Sequence, residues 1–167
     1  MTLYILRHGA AENESPASGD DGARRLTARG REKVRAAAAA MRALGLKFDA
    51  ILASPLPRAA ETAELVAAAY AGGPSPETHA ALSTGVTPAD TVAALKPYER
   101  HDHLMIVGHE PGLSGIASLL LTSSANSVGF DLKKSGMIAL ELHDGIARGG
   151  AQLLWMLTPR QLRRLRK

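Results

Sequence analysis

Three short apolar runs each stop at a polar cluster, and that repetition limits this chain more than any other feature. Thr2 to Leu6 runs into Arg7-His8-Gly9, Phe48 to Ala53 into Ser54-Pro55 and then Arg58, and Leu104 to Val107 into Gly108-His109. Each run is too short for a stable helix and is bounded by turn residues, so each predicts a buried strand. Helical segments lie between them. Thr27 can cap a helix reaching about Leu44 through the alanine run Ala36 to Ala40, with Gly45 as its stop. A second helix is expected from about Arg58 to Tyr70, closed by Gly72-Gly73-Pro74. Ala89 to Leu95 and Leu113 to Leu121 predict two more, the latter after the Pro111-Gly112 turn. Met137 to Leu142 and Gln152 to Leu157 are expected as late strands joined across the turn Gly145 to Gly150. Glu12 to Gly22 and Ser75 to Pro88 read as loops, the second with a short strand.

Strands alternating with helices imply a three-layer α/β/α sandwich around a mainly parallel sheet. Ligands of such sheets sit beyond the carboxyl ends of the strands. The three polar clusters occupy such ends, and this topology would gather them at one edge although they are far apart in sequence. The 167 residues suffice for a real core, and no repeat or linker divides them, so residues 1–167 are expected to form one domain.

The chain contains 0 cysteines, which excludes a thiol-dependent phosphatase or protease and thiolate zinc sites. No apolar run approaches bilayer length, and Met1 to Leu6 lacks a basic leader followed by a long apolar stretch. A cytoplasmic location without a membrane partner is the expectation. The formal net charge is +4, with much of the excess in Arg160, Arg163, Arg164, Arg166 and Lys167. Such a surplus could serve nucleic acid, an acidic partner or simple solubility. Aromatic residues make up only 4% of the chain, too few for base stacking, so a solvated tail is preferred and no nucleic-acid partner is expected.

Arg7, His8, Arg58 and His109 together suit phosphoryl transfer. Arginine presents a fixed fork of donors that matches non-bridging phosphoryl oxygens and keeps its charge. Two such forks would bind the ground state and stabilise charge during transfer. A neutral histidine nitrogen can act as nucleophile through a phosphohistidine intermediate. The second histidine, if cationic, could bind a phosphoryl oxygen. These groups supply the positive charge, so neither metal nor other cofactor is expected, and the bound anion would be inorganic phosphate or similar.

Other polar residues fit blander roles. His101 and His103 flank Asp102 without a companion ligand pattern and read as a solvated strand start. His79 and His143 are isolated. Gly19 to Gly22 holds two aspartates but follows no apolar strand, so it reads as a loop rather than a metallophosphatase site. Arg24 and Arg25 read as a solvated helix entry, with docking of an acidic protein substrate as the alternative. Trp155 reads as core.

Leu6-Arg7-His8-Gly9 resembles the leading motif of the histidine phosphatase superfamily, the phosphoglycerate mutase-like proteins. Ser54-Pro55-Leu56-Pro57-Arg58-Ala59-Ala60-Glu61-Thr62-Ala63 is similar to its second motif, and Val107-Gly108-His109-Glu110-Pro111 to its third. The motifs come in the family's order, and Leu26-Thr27 to Gly30 also fits. The short chain, the lack of a large insertion between the second and third motifs, and Lys134-Ser135-Gly136 to Leu154-Trp155 resemble the SixA branch of small phosphohistidine phosphatases. The resemblance implies that His8 is the nucleophile, Arg7 and Arg58 are phosphate clamps, and His109 is the second pocket histidine. Gly9 would leave room for the backbone to approach phosphate, or be a plain turn glycine.

The chain departs from the family at one place. Many members carry a glutamate, the general acid, in the loop after the second motif, where this chain has Ala81-Leu82-Ser83-Thr84-Gly85. A general acid is typically worth about 10²–10⁴-fold. Its absence suits phosphohistidine, whose P–N bond is reactive and whose nitrogen can be protonated before cleavage. The expected substrate is therefore phosphohistidine on a protein, reached through short loops and an open site. The alternatives are a small phosphate ester and a binding module for phosphorylated partners. Glu12, Glu14 and Asp90 are the other carboxylates considered as proton donors.

Overall fold

The first strand, β1 (Thr2–Arg7), divides its side chains between two cores. Leu3 and Ile5 enter one, Tyr4 and Leu6 the other, and all four are buried. A strand covered on both faces must be apolar throughout, which is why this run does not alternate with polar residues. The computed structural model describes residues 1–13 and 21–165. Its sheet also contains β2 (Ala50–Ala53), β3 (Glu77–Thr78), β4 (His103–Gly108), β5 (Met137–Leu142) and β6 (Ala151–Leu157), in the order β3-β2-β4-β1-β5-β6. The first four of these neighbours are parallel; β5 runs antiparallel to both β1 and β6.

Among the described residues five α-helices cover the sheet: α1 (Ala28–Ala43), α2 (Pro57–Ala67), α3 (Pro88–Leu95), α4 (Gly112–Thr122) and α5 (Pro159–Arg164). Val92, Leu95, Leu113 and Ile116 place α3 and α4 on the core that holds Leu3 and Ile5. Val34, Met41, Ala59, Ala63, Val66 and Leu162 place α1, α2 and α5 on the opposite core. The result is the expected three-layer α/β/α sandwich.

Register brings the polar clusters level. Leu6 pairs with Val107, and Ala53 pairs with Val107 from the other side. Beyond the last pairs, the His8 amide donates to Gly108 O at 3.1 Å and the Ser54 amide to Val107 O at 2.9 Å. The three strand ends are thus stitched together one residue past the sheet.

The elements follow the sequence expectations with local differences. α2 ends at Ala67 rather than near Tyr70, because Ala69 and Tyr70 turn tightly back onto Val66 O and Ala67 O ahead of Gly72, whose φ is +75°. β2 starts at Ala50 rather than Phe48, since Asp49 is spent bridging to β4: its amide donates to His103 O and its carboxylate accepts the His103 amide. The reading of the C-terminal segment as a solvated tail needs correction. Thr158 and Gln161 form a reciprocal capping box, Pro159 occupies the first turn, and α5 buries Leu162 completely. Arg160, Arg163 and Arg164 do remain exposed, while Arg166 and Lys167 lie outside the described residues.

Replacing Leu162 by Ala should lower stability by about 2–5 kcal/mol in urea denaturation, as for other fully buried leucines. An unchanged midpoint would show α5 to be dispensable.

Candidate active site

His8 is the first residue beyond β1 and is 6% exposed. Its Nδ1 lies 2.7 Å from Gly9 O. A carbonyl oxygen can only accept, so Nδ1 carries the ring proton and Nε2 keeps its lone pair. Burial drives the ring's pKa down to about 3; the Gly9 hydrogen bond opposes this, while His109, Arg58 and Arg7 each lower it further. An imidazole neutral at physiological pH, with its proton fixed on one nitrogen, is competent as a nucleophile through the other.

The structure brings His8 together with the other three predicted site residues. The His109 ring centroid is 5.0 Å from that of His8, and both rings are almost wholly buried. Arg58, near the start of α2, is 2% exposed and donates through Nη1 to Asp21 O at 2.8 Å. Arg7 donates through Nη1 to Leu132 O at 2.8 Å. His109 Nε2 lies 2.9 Å from Ser54 Oγ, which accepts the Leu56 amide at 3.3 Å. In the tautomer that lets the Ser54 hydroxyl donate to Nε2, the ring proton of His109 sits on Nδ1.

Three buried nitrogens here, Arg7 Nε, Arg58 Nε and His109 Nδ1, have no partner among the described residues. In the tautomer just described all are donors on residues whose charges act on His8. Buried donors ordinarily find acceptors. Such donors suit the oxygens of an anion. Burial also lowers the His109 pKa, to about 4, with Arg58 the next largest cause. The surroundings of His109 therefore disfavour the cationic form anticipated for it.

Sequence reasoning missed part of the surroundings. Arg24, read as a solvated helix entry, has a side chain only 20% exposed. It donates to Glu12 O, pairs with Asp21 at 2.7 Å and lowers the pKa of both Arg58 and His109. Its Nε is also buried without a partner among the described residues. Arg25, by contrast, is exposed and pairs with Glu61, which also accepts from Arg31. Thr62 Oγ1 accepts the Gly9 amide at 3.0 Å while donating to Arg58 O. Gly9 therefore spends its amide on α2. A Cβ on Gly9 would stand 2.7 Å from Val34 Cγ2, so its glycine character serves packing against α1.

Two of the considered carboxylates are otherwise engaged. Asp90 accepts from Thr87 at the start of α3, Glu12 accepts the Arg25 amide, and Glu14 lies outside the described residues. Glu110, quoted in the third motif but assigned no role, proves closer to the site. It lines a cavity of about 650 Å³ together with His109, Leu82, Leu113 and Ile116. Burial raises its carboxyl pKa, and its Oε1 has no partner.

The remaining histidines stand apart. His79 meets Tyr98 edge-to-face, His101 stacks on Tyr98, and His103 stacks on Tyr4. His143 is exposed, and Gly19 lies outside the described residues. Among the described residues, no group of three or more His, Cys, Asp or Glu is arranged to hold a metal, and no helix is long and apolar enough to cross a membrane. Trp155 is half-buried against Tyr4.

The family model for the histidine phosphatase superfamily (branch 1) matches residues 3–83, which include the first two motifs. The chain belongs to that superfamily. A protein of Picosynechococcus sp. is 36% identical over 150 residues, covering 89% of this chain and 88% of the relative. Among solved structures, the protein histidine phosphatase SixA complexed with tungstate superposes with a TM-score of 0.84 at 22% identity, over 97% of this chain and 99% of that one. The alpha-ribazole phosphatase from Shigella flexneri gives 0.75 at 20% identity, over 95% and 97%. A phosphoserine phosphatase from Entamoeba histolytica, in complex with 3-phosphoglyceric acid, gives 0.69 at 16% identity, over 96% and 98%. The superfamily fold is thus shared with enzymes of protein and small-molecule substrates, and phosphatase activity is the common assignment.

The depressed histidines tie this superfamily member's stability to pH. Unfolding restores their ordinary pKa of 6.5, so the unfolded chain binds protons that the native site refuses. Stability should fall as pH drops from 6.5 towards 4. His8→Asn/His109→Asn should flatten that dependence in chemical denaturation at pH 6.5 and 4.5; an equal slope in both proteins would contradict the assignment.

Proposed function

We propose that this chain is a phosphohistidine phosphatase working through a covalent intermediate on His8, with a protein-borne phosphohistidine as substrate. The observation that carries the chemistry is the tautomer-fixed His8, its pKa lowered by burial, beside buried donors that have no acceptor among the described residues. A tetrahedral oxyanion supplies the missing acceptors; tungstate, present in the SixA structure, is one. Arg7 and Arg58 clamp the non-bridging oxygens. His109 donates through Nδ1, and the dianion restores the basicity that burial removes.

Nε2 of His8 attacks phosphorus, the P–N bond to the substrate imidazole breaks, and that imidazole leaves with a proton. Water then attacks phosphorus on His8 and releases inorganic phosphate, with His8 regenerated. The named charges acting on His8 are all basic, belonging to His109, Arg58 and Arg7. A leaving group that brings its own proton suits such a surrounding, and phosphohistidine does so because its ring nitrogen can be protonated before cleavage. This favours a phosphoramidate over an alkyl phosphate.

One observation favours a second reading, a small-molecule phosphomonoesterase. Glu110 retains its proton to a higher pH than an ordinary carboxyl and faces a cavity bordered by His109. It could protonate an alkoxide leaving group.

Both readings meet in one assay. Phosphate release from a phosphohistidine protein should vanish in His8→Ala, and the wild type should prefer that substrate to sugar phosphates. Glu110→Gln should leave phosphohistidine turnover unchanged. Preference for sugar phosphates, with a loss of about 10²-fold or more in Glu110→Gln, would establish the second reading instead.

A further inference from the structure

The basic C-terminal segment plays no part in the chemistry above, yet α5 brings it back to the sheet edge that carries the site. Arg160 and Arg163 line a cleft of about 640 Å³ with Lys33 of α1, Lys133 and Lys134 of the β5 approach, and Arg7. Four separated stretches of chain thus converge their cations on one concavity, and no carboxylate is among its lining residues. Lys133 pairs with Asp131 at 2.6 Å. Lys33, Lys134, Arg160 and Arg163 have no ion-pair partner among the described residues.

Arg7 belongs to both places. It lines the cleft and lowers the pKa of His8 and His109. Its hydrogen bond to Leu132 O ties it to the segment that presents Lys133 and Lys134. An anion held in the cleft therefore lies alongside the phosphoryl position, within reach of the same substrate.

The nature of the cations selects the ligand. Lys134, Arg160 and Arg163 are exposed on long side chains, and Lys33 is half-buried. No aromatic ring lines the cleft, so stacking with nucleobases is not offered. Spread, solvated cations complement the scattered carboxylates of a protein surface, steering approach and fixing orientation. We propose that this cleft docks an acidic patch next to the phosphohistidine of the substrate protein. The proposal rests on the phosphohistidine reading and adds that substrates are chosen by the carboxylates beside the modified residue.

The test uses two synthetic phosphohistidine peptides of equal length, one with glutamates flanking the phosphohistidine and one with glutamines in their place, alongside free phosphohistidine. Each is assayed with the wild type and with Lys33→Gln/Lys134→Gln/Arg163→Gln, which alters no residue assigned to the chemistry. At low ionic strength the wild type should show a KM about tenfold lower for the glutamate peptide. That preference should collapse in the triple variant and at high salt, while kcat/KM for free phosphohistidine stays the same in both proteins. An unchanged preference in the variant, or no preference in the wild type, would overturn the proposal. Free phosphohistidine turnover reports separately on the underlying reading. If it is absent, anisotropy binding of both peptides to His8→Ala still decides the cleft: a retained glutamate preference supports it, and equal binding refutes it. Fructose 1,6-bisphosphate against fructose 6-phosphate forms the last arm. Selective loss of the bisphosphate in the variant, with peptide preference untouched, would give the cleft to a second phosphate and sink the acidic-patch assignment.

Discussion

The hydrogen bond from His8 Nδ1 to the carbonyl of Gly9 governs the chemistry available to this fold. Without it, the ring proton could sit on either nitrogen, and no nucleophilic atom would be defined. The bond forms because β1 ends at Arg7 and the chain turns at once. That turn is held by the His8 amide on Gly108 O, the Gly9 amide on Thr62 Oγ1, and the Ser135 amide on the carbonyls of Arg7 and His8. Every neighbouring strand end thus contributes to the orientation of one imidazole. Gly30 adds to this from α1: a Cβ there would collide with Ala10 O, so the helix can approach the loop only as glycine.

Electrostatics then set the state of that imidazole. Two guanidinium groups and a second histidine surround it, and each opposes a further positive charge. Burying such a cluster without an anion is unfavourable, since the unpaired donors lose their water. The protein offsets the strain with the Asp21 and Leu132 carbonyls, the Asp21 carboxylate and the packing of two cores. Donors held in place before the anion arrives need no reorganisation when negative charge develops on phosphorus. In this account the cost of burying these donors and their capacity for phosphoryl transfer have the same origin.

The fold was legible because β1, β2, β4 and β5 are largely buried on both faces and each is followed within two residues by Gly, Pro or His. Arg7, His8, Arg58 and His109 were legible because register carries strand ends to one level, so positions after apolar runs predict proximity. What escaped detection depended on side-chain direction. Arg24 sits in a loop that reads as solvated, and only the fold turns it inward against Asp21 and Glu12. Glu110 stood in plain view after His109, but its burial depends on the cavity walls supplied by Leu82 and Ile116. α5 carried a readable signal, Thr158-Pro159-Arg160-Gln161, which is a capping box with proline in the first turn. The arginines that surround it mask that signal and the apolar Leu162 that the helix buries. The tautomer of His8 has no counterpart in sequence, because it depends on a single carbonyl orientation.

The central claim is that phosphorus passes through Nε2 of His8. The most direct measurement is rapid-quench trapping of the enzyme during turnover of a radiolabelled phosphoramidate, followed by peptide mapping. The account predicts acid-labile, base-stable label on residue 8, appearing in a burst before free phosphate accumulates. Phosphate released at full rate with no labelled enzyme at any time point, or label on His109 instead, would contradict it.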